Sequence, residues 1–229
     1  MRTLIFLLGL VATQALSAQV KVHEKTYPYT NQELDIDIEL GTDLVIKAWD
    51  KEEILVKVTY EINGGEDNEA LRIDIDDYTD RLSVDLDLDK RKLSDSGDCC
   101  CNGKRKRRWE NGRGTCVDVK VEVMVPGSAS IMVETITADV TISGIVSDID
   151  VQTVTGKIDL SWLESAGAEI ALKTTRGDLY TNMKFNTKRD KGLPSISGRN
   201  LSGTYKGGEK EVQLETVTGA IYFRKTTDN

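Results

Sequence analysis

Along most of the chain, apolar and polar residues alternate one by one. "ELDIDIEL" (33–40), "ILVKVTYEI" (54–62), "LRIDID" (71–76), "LSVDLDLD" (82–89) and "VDVKVEVMV" (117–125) put Val, Ile and Leu on one side. Asp, Glu and Lys fall on the other. Period two sends successive side chains to opposite faces of an extended strand, whereas an amphipathic helix needs a three-to-four spacing. Gly-rich or polar breaks such as "NGGEDNE" and "PGSAS" separate the runs. "WLESAGAEIAL" (162–172) has a helical drawing too, and Gly167 inside it argues against that drawing. The pattern predicts an all-β chain.

A second regularity lies over the first. "QTVTGKIDL" (152–160) and "ETVTGAIYF" (215–223) are nearly the same nine residues. Aligned on the small hydroxyl residue, the copies are Thr135-Ile-Thr-Ala138, Thr153-Val-Thr-Gly156, Thr174-Thr-Arg-Gly177, Ser195-Ile-Ser-Gly198 and Thr216-Val-Thr-Gly219, in steps of 18, 21, 21 and 21 residues. Short alternating strands lead into most copies ("IMVE", "DVQ", "IALK", "VQLE") and out of them ("DVTI", "KIDL", "DLYT", "AIYF"). A strand–corner–strand unit with a period near 20 residues predicts a β-solenoid over 127–229, in which each turn buries its apolar face against its neighbours. Gly at the corners supplies unusual backbone angles. Thr and Ser hydroxyls bond the local backbone or stack from turn to turn. The alternative for these corners is a flat ligand-binding ladder of stacked threonines.

"DLVIKAWDKEEILVKV" (43–58), "VPGSASIMVETITADVTISG" (125–144) and the repeated "TVTG" corners resemble the bacterial putative-adhesin family. The resemblance covers roughly residues 40–60 and 120–224. It implies a β-helix-like fold in an exported cell-envelope protein and brings no catalytic residues. Ala138 in place of the corner Gly, and the irregular "GRNLSGTYKGG" (198–208), depart from the pattern.

The first residues bear on compartment. Met1-Arg2 is followed by the apolar run "LIFLLGLVA" and then by "ALSAQ" (15–19). Nine apolar residues are too few to span a bilayer, which takes about 20. Residues 1–18 therefore read as a secretory signal peptide, cut after Ala18 or after Ser17. Cleavage after 18 leaves 229 − 18 = 211 residues, divided into an N-terminal β region (19–126) and the repeats (127–229). Losing Arg2 takes the net charge from −8 to −9, which argues against nucleic acid as partner and favours solubility. The signal peptide places the protein in the periplasm, at the cell surface or outside the cell as a secreted product.

Chemistry is scarce. The carboxylate pairs Asp35/Asp37, Asp74/Asp76, Asp85/Asp87/Asp89 and Asp148/Asp150 sit at i, i+2, about 6.6–6.8 Å apart along a strand, which suits a solvated face. Calcium takes oxygens at about 2.3–2.6 Å from loops that wrap round it. "DLDLDK" (85–90) imitates the start of such a loop, but Lys90 stands where Gly is required and Ser96 where Glu is. His23 is the chain's single histidine, in a strand-like N-terminal segment. Trp49, Trp109 and Trp162 are scattered, with Trp49 expected to cover a sheet edge. No catalytic constellation, metal-ligand spacing or cofactor motif is found.

Residues 90–116 break the strand pattern. They hold all four cysteines and the densest positive charge, Lys104, Arg105, Lys106, Arg107 and Arg108, beside Trp109. The basic run reads as a solvated loop, with binding of an anionic partner as the alternative. In an oxidising compartment the cysteines point to a disulfide. Cys116 is the long-range half, and Cys99 or Cys101, which share a face in extended chain, is the expected partner. The loop of about 15 residues is worth about 3 kcal/mol in the chain-entropy model.

The reading is an exported, non-catalytic adhesin-like protein, without cofactor or metal, binding a protein or glycan of a cell surface. A periplasmic structural or envelope-stress accessory with no external ligand is the alternative, and a polysaccharide-acting β-helix enzyme comes third.

Overall fold

A computed structural model of the chain describes residues 20–94, 107–108, 114–184, 186–187 and 198–227. The first strands are β1 (Lys21–Pro28), β2 (Glu33–Ile38), β3 (Asp43–Trp49), β4 (Glu53–Ile62), β5 (Leu71–Asp77) and β6 (Arg81–Leu88). Next come β7 (Arg107–Arg108), β8 (Gly114–Thr115), β9 (Val117–Pro126), β10 (Ile131–Thr135), β11 (Asp139–Ser143), β12 (Ile149–Thr155) and β13 (Ile158–Leu163). β14 (Ala168–Arg176), β15 (Leu179–Thr181), β16 (Asn186–Thr187), β17 (Arg199–Tyr205), β18 (Glu211–Thr218) and β19 (Ile221–Thr226) complete the order. Apart from three single turns of 3-10 helix, every described element is a strand. The all-β expectation holds, including at 162–172, where Gly167 occupies the turn between β13 and β14.

Two large sheets carry the molecule. One has eight strands in the order β1-β4-β9-β3-β11-β13-β19-β15, the other nine in the order β16-β17-β14-β18-β12-β10-β2-β6-β5. The pairs β2–β10, β10–β12, β12–β18 and β14–β18 are parallel, as are β3–β11, β11–β13, β13–β19 and β15–β19. Antiparallel strands lie at the margins: β1 and β4 in one sheet, β5, β16 and β17 in the other. Both sheets are therefore mixed and both remain open at their ends. β2 and β3 pair directly with β10 and β11, so each sheet runs across residue 126.

The regular 21-residue coil expected from the sequence is not what these pairings show. In a simple solenoid, turns stack in chain order. Here β12 is flanked by β18, and β14 lies beyond it. The chain passes through β14, β15, β16 and β17 before β18 returns between two strands already in place. β17 then runs antiparallel to β14, so the segment after Gly198 does not add a parallel strand to the stack. The two near-identical nonapeptides are thus side by side: Gln152 is in register with Glu215, Thr153 with Thr216, and Ile158 with Ile221. The sequence repeats because the two segments make the same contacts in adjacent places.

The inward residues of both sheets form one apolar core. Leu34, Ile36, Val133, Val151, Leu214 and Leu172 come from the nine-stranded sheet, and Leu44, Ile142, Leu160 and Phe223 from the other. Trp162 is fully buried, and its indole N–H donates to Ala166 O at 3.0 Å, tying down the turn before β14. Each such Val, Leu, Ile or Phe contributes about 1.5–3 kcal/mol by leaving water.

Candidate functional site

Four corner threonines line up across the nine-stranded sheet. Thr135 is in register with Thr153, Thr153 with Thr216, and Thr216 with Thr174, and all four are buried. Their hydroxyls serve the backbone. Thr216 Oγ1 donates to Gly156 O at 3.2 Å, Thr174 Oγ1 donates to Gly219 O at 3.0 Å, and Thr135 Oγ1 accepts from Ala138 N at 3.2 Å. Thr153 Oγ1 is buried with no hydrogen-bond partner among the described residues. That break falls beside Ala138, the copy that departs from glycine.

Glycine is needed at these corners for close approach, and at Gly219, with φ +159°, for its backbone angle as well. A Cβ on Gly156 would lie 2.0 Å from Ala138 O, one on Gly219 1.9 Å from Gly156 O, and one on Gly177 1.8 Å from Gly219 O. Each glycine lets a neighbouring corner's carbonyl approach its Cα, and at Gly219 and Gly177 the same approach brings that carbonyl to the hydroxyl of Thr216 or Thr174. Gly198 stands apart, with φ +91° and its Cα against Thr174 O. Ser195 lies outside the described residues. Between the buried threonines and the glycines, Ile136, Val154 and Val217 point out, 45, 48 and 43 % exposed, as an apolar ridge.

The basic insertion is described only at its base. Lys104, Arg105, Lys106, Trp109, Cys99 and Cys101 lie outside the described residues. The backbones of Arg107 and Arg108, in β7, pair antiparallel with Thr115 and Gly114 of β8. Both flanks of the insertion meet one polar cluster. Asp67 Oδ2 accepts from Ser94 N and Ser94 Oγ, at 3.0 and 2.9 Å, and also from Asn63 Nδ2. Asn63 Oδ1 accepts from Cys116 N at 2.8 Å, and Asn63 N donates to Cys116 O at 2.9 Å. Asn63 holds φ +50°, a left-handed conformation that Asn tolerates better than most residues. Nothing in the strand pattern pointed to this cluster.

The carboxylate pairs, separate in sequence, become neighbours on the outer side of the nine-stranded sheet. One row crosses seven strands: Asp74, Asp85, Asp37, Glu134, Gln152, Glu215 and Lys173. The next runs Asp76, Ser83, Asp35, Met132, Asp150 and Gln213. Cations reach this face mainly at its margins, as in Arg72–Asp74 at 2.7 Å and Lys173–Glu215 at 2.6 Å. Burial raises the Asp37 carboxyl above its ordinary value, and Asp85 and Glu134 add to the shift. Burial likewise raises Asp150, against a hydrogen bond from Gln152. A shallow concavity of about 230 Å³ opens among Glu33, Met132, Asp148, Asp150, Glu211 and Gln213. Among the described residues no group of three or more His, Cys, Asp or Glu is placed to hold a metal ion.

Aromatic side chains occupy separate places. Trp162 is core, and Trp49 closes the β3 end with its N–H on Glu53 O at 2.7 Å. His23 sits on β1 opposite Val58. On the eight-stranded sheet, however, Tyr180 and Tyr222 stack with centroids 4.8 Å apart and planes at 10°. The Tyr180 hydroxyl donates to Asp178 Oδ2 at 3.3 Å, and Asp178 chiefly raises the Tyr180 hydroxyl's pKa. Asp178 pairs with Arg199 at 2.5 Å, and Arg224 grips Asp159 through two 2.6 Å contacts.

A structure of a putative cell adhesion protein from Clostridium sporogenes superposes with a TM-score of 0.52 at 12 % identity, covering 91 % of this chain and all of that one. The two chains share a fold. A putative adhesin from Bacteroides fragilis matches at 10 % identity over 90 % of this chain and 97 % of the other, but its TM-score of 0.29 is too low to argue from. No protein-family model matches the chain, and no curated protein matches it. Among the described residues no helix is long and apolar enough to cross a membrane.

Proposed function

We propose that this is an exported, non-catalytic, adhesin-like protein that binds a protein or glycan at a cell surface. The observation that carries the reading is the shape of the body: two broad sheets with side chains in flat rows. The concavity on its acidic face is about 230 Å³ and partly open to solvent. Surfaces of that kind suit contact with another surface. The shared fold with a protein described as a cell adhesion protein agrees with it. The parallel strands support reading the body as a solenoid with one coil inserted out of chain order. Export rests on the charged, apolar and small-residue succession of residues 2–19. The carboxylate rows disfavour polyanionic partners.

A disulfide from Cys116 to Cys99 or Cys101 belongs to this reading. It is supported by the polar cluster that holds both flanks of the insertion. Peptide mapping of non-reduced protein tests it, and a free Cys116 thiol would discard it.

The function is tested by fractionating cells that express the full chain, and by screening the 19–229 protein on a glycan array and in pull-downs from surface extracts. Processed protein outside the cytoplasm and saturable binding to one class are expected. Uncut cytoplasmic protein, or no binding on either screen, overturns the reading.

A further inference from the structure

Resting on the binding reading above, we propose that the Tyr180–Tyr222 stack is a carbohydrate platform that takes a neutral, β-linked hexopyranose unit on the free ring face of Tyr180. Among the described residues β15 is the end strand of the eight-stranded sheet and pairs with β19, where Tyr180 is in register with Tyr222. The ring spacing of 4.8 Å equals the distance between paired strands. The rings therefore stand face to face across the two strands. Tyr222 backs one face of Tyr180, and among the described residues no further strand lies beyond β15 on the other side. Tyr180 is 47 % exposed, large for an aromatic ring set in a strand.

The chemistry around that face fits a sugar. An aromatic face carries negative charge density, and the axial C–H bonds on one side of a β-linked hexopyranose offer it a flat, weakly positive surface. The ring is already held by Tyr222 and by the hydroxyl's bond to Asp178, so little freedom remains to be lost on binding. β15 continues into an anchored turn: Met183 is buried, its N–H donates to Thr181 Oγ1 at 3.1 Å, and Asn182 Oδ1 accepts from Lys225 N at 2.8 Å. Asp178 and Arg199 stand beside the ring as acceptor and donor for sugar hydroxyls. The net negative charge of the chain as a whole turns away uronic and sialic acids, which points to neutral sugars. A single ring face stacks on one sugar unit.

The test uses the 19–229 protein with cellotriose, chitotriose and lactose as probes, read by saturation-transfer NMR and calorimetry, with melting temperature and light scattering on every variant. Transfer to axial protons is expected in the wild type. Tyr180→Ala should weaken binding at least tenfold, Tyr180→Phe by less than threefold, and Tyr222→Ala by an intermediate factor. Val217→Thr, on the corner ridge, should leave binding unchanged. If the wild type binds cells or proteins but none of these sugars, this inference falls and the binding reading stands. The inference also falls if folded Tyr180→Ala binds as the wild type does. It falls if the substitution changes the molecular mass in solution without affecting sugar binding, because the ring is then a contact between copies. Binding to neither sugars, cells nor proteins overturns both.

Discussion

The hydroxyl of Thr216 donates to the carbonyl oxygen of Gly156 at 3.2 Å, across 60 residues of sequence. Thr174 repeats the contact on Gly219, and Thr153, the same residue in the same motif, lacks it. A made buried hydrogen bond contributes about 1 kcal/mol, and a buried hydroxyl left without a partner carries a cost of about 1–3 kcal/mol. Thr216→Val and Thr174→Val should each destabilise by about 1 kcal/mol. Thr153→Val should stabilise, by about 1 kcal/mol. Urea unfolding of the three variants checks the opposite signs, and a loss at Thr153 equal to the others would break the argument.

The glycine row makes a harder demand. At Gly156 and Gly219 even a methyl would sit within 2.0 Å of a carbonyl oxygen, so the strands must separate to admit it. Gly219→Val and Gly156→Val should each cost about 3 kcal/mol. Their costs should be alike, because the β18 corner lies between two others, although it is the last in the chain. Thermal melts of the two variants should fall together, and a clearly milder Gly219 variant would contradict the observed strand order.

Asp37 and Asp150 set a pH dependence. Their folded-state carboxyls are raised, chiefly by burial, so the native state binds those protons more tightly than the unfolded chain. Stability then falls as pH rises from the unfolded carboxylate value, about 4, through the raised value, and the cost is fully present above it. Asp37→Asn and Asp150→Asn should raise the melting temperature at pH 7 and leave it unchanged at pH 3. Asp89 has the opposite sign. Arg91 holds it at about 2, so its contribution is present above the unfolded value and is lost as pH falls toward 2. Asp89→Asn should lower the melting temperature at pH 7. Melts of the three variants at both pH values decide the signs.

Asp67 joins the start of the basic insertion to the turn that holds its end. Asp67→Ala leaves Ser94 N and Asn63 Nδ2 without that carboxylate and should cost about 2 kcal/mol. Asp77→Ala, on the end strand β5, should change stability by less than about 0.5 kcal/mol. Equal melting temperatures for the two variants would remove the cluster from the account of how the insertion is held.

Alternation by itself determined much of the secondary structure. The strands expected at 33–40, 54–62, 71–76, 82–89 and 117–125 are β2, β4, β5, β6 and β9 to within two residues at either end. That succeeds because the facing of successive side chains is a local property of an extended chain. Only the tertiary structure decided which corner lies beside which. Steps of 18 and 21 residues contain nothing about β18 entering between β12 and β14, since strand pairing depends on contacts made by residues far apart in the chain. The role of Gly156 followed that decision: a neighbouring corner's carbonyl excludes a Cβ. Pairing likewise gathered the scattered aspartates into rows across one face. It also set Tyr180 against Tyr222, two residues with no local pattern in common, because the register of β15 with β19 leaves their rings one strand spacing apart.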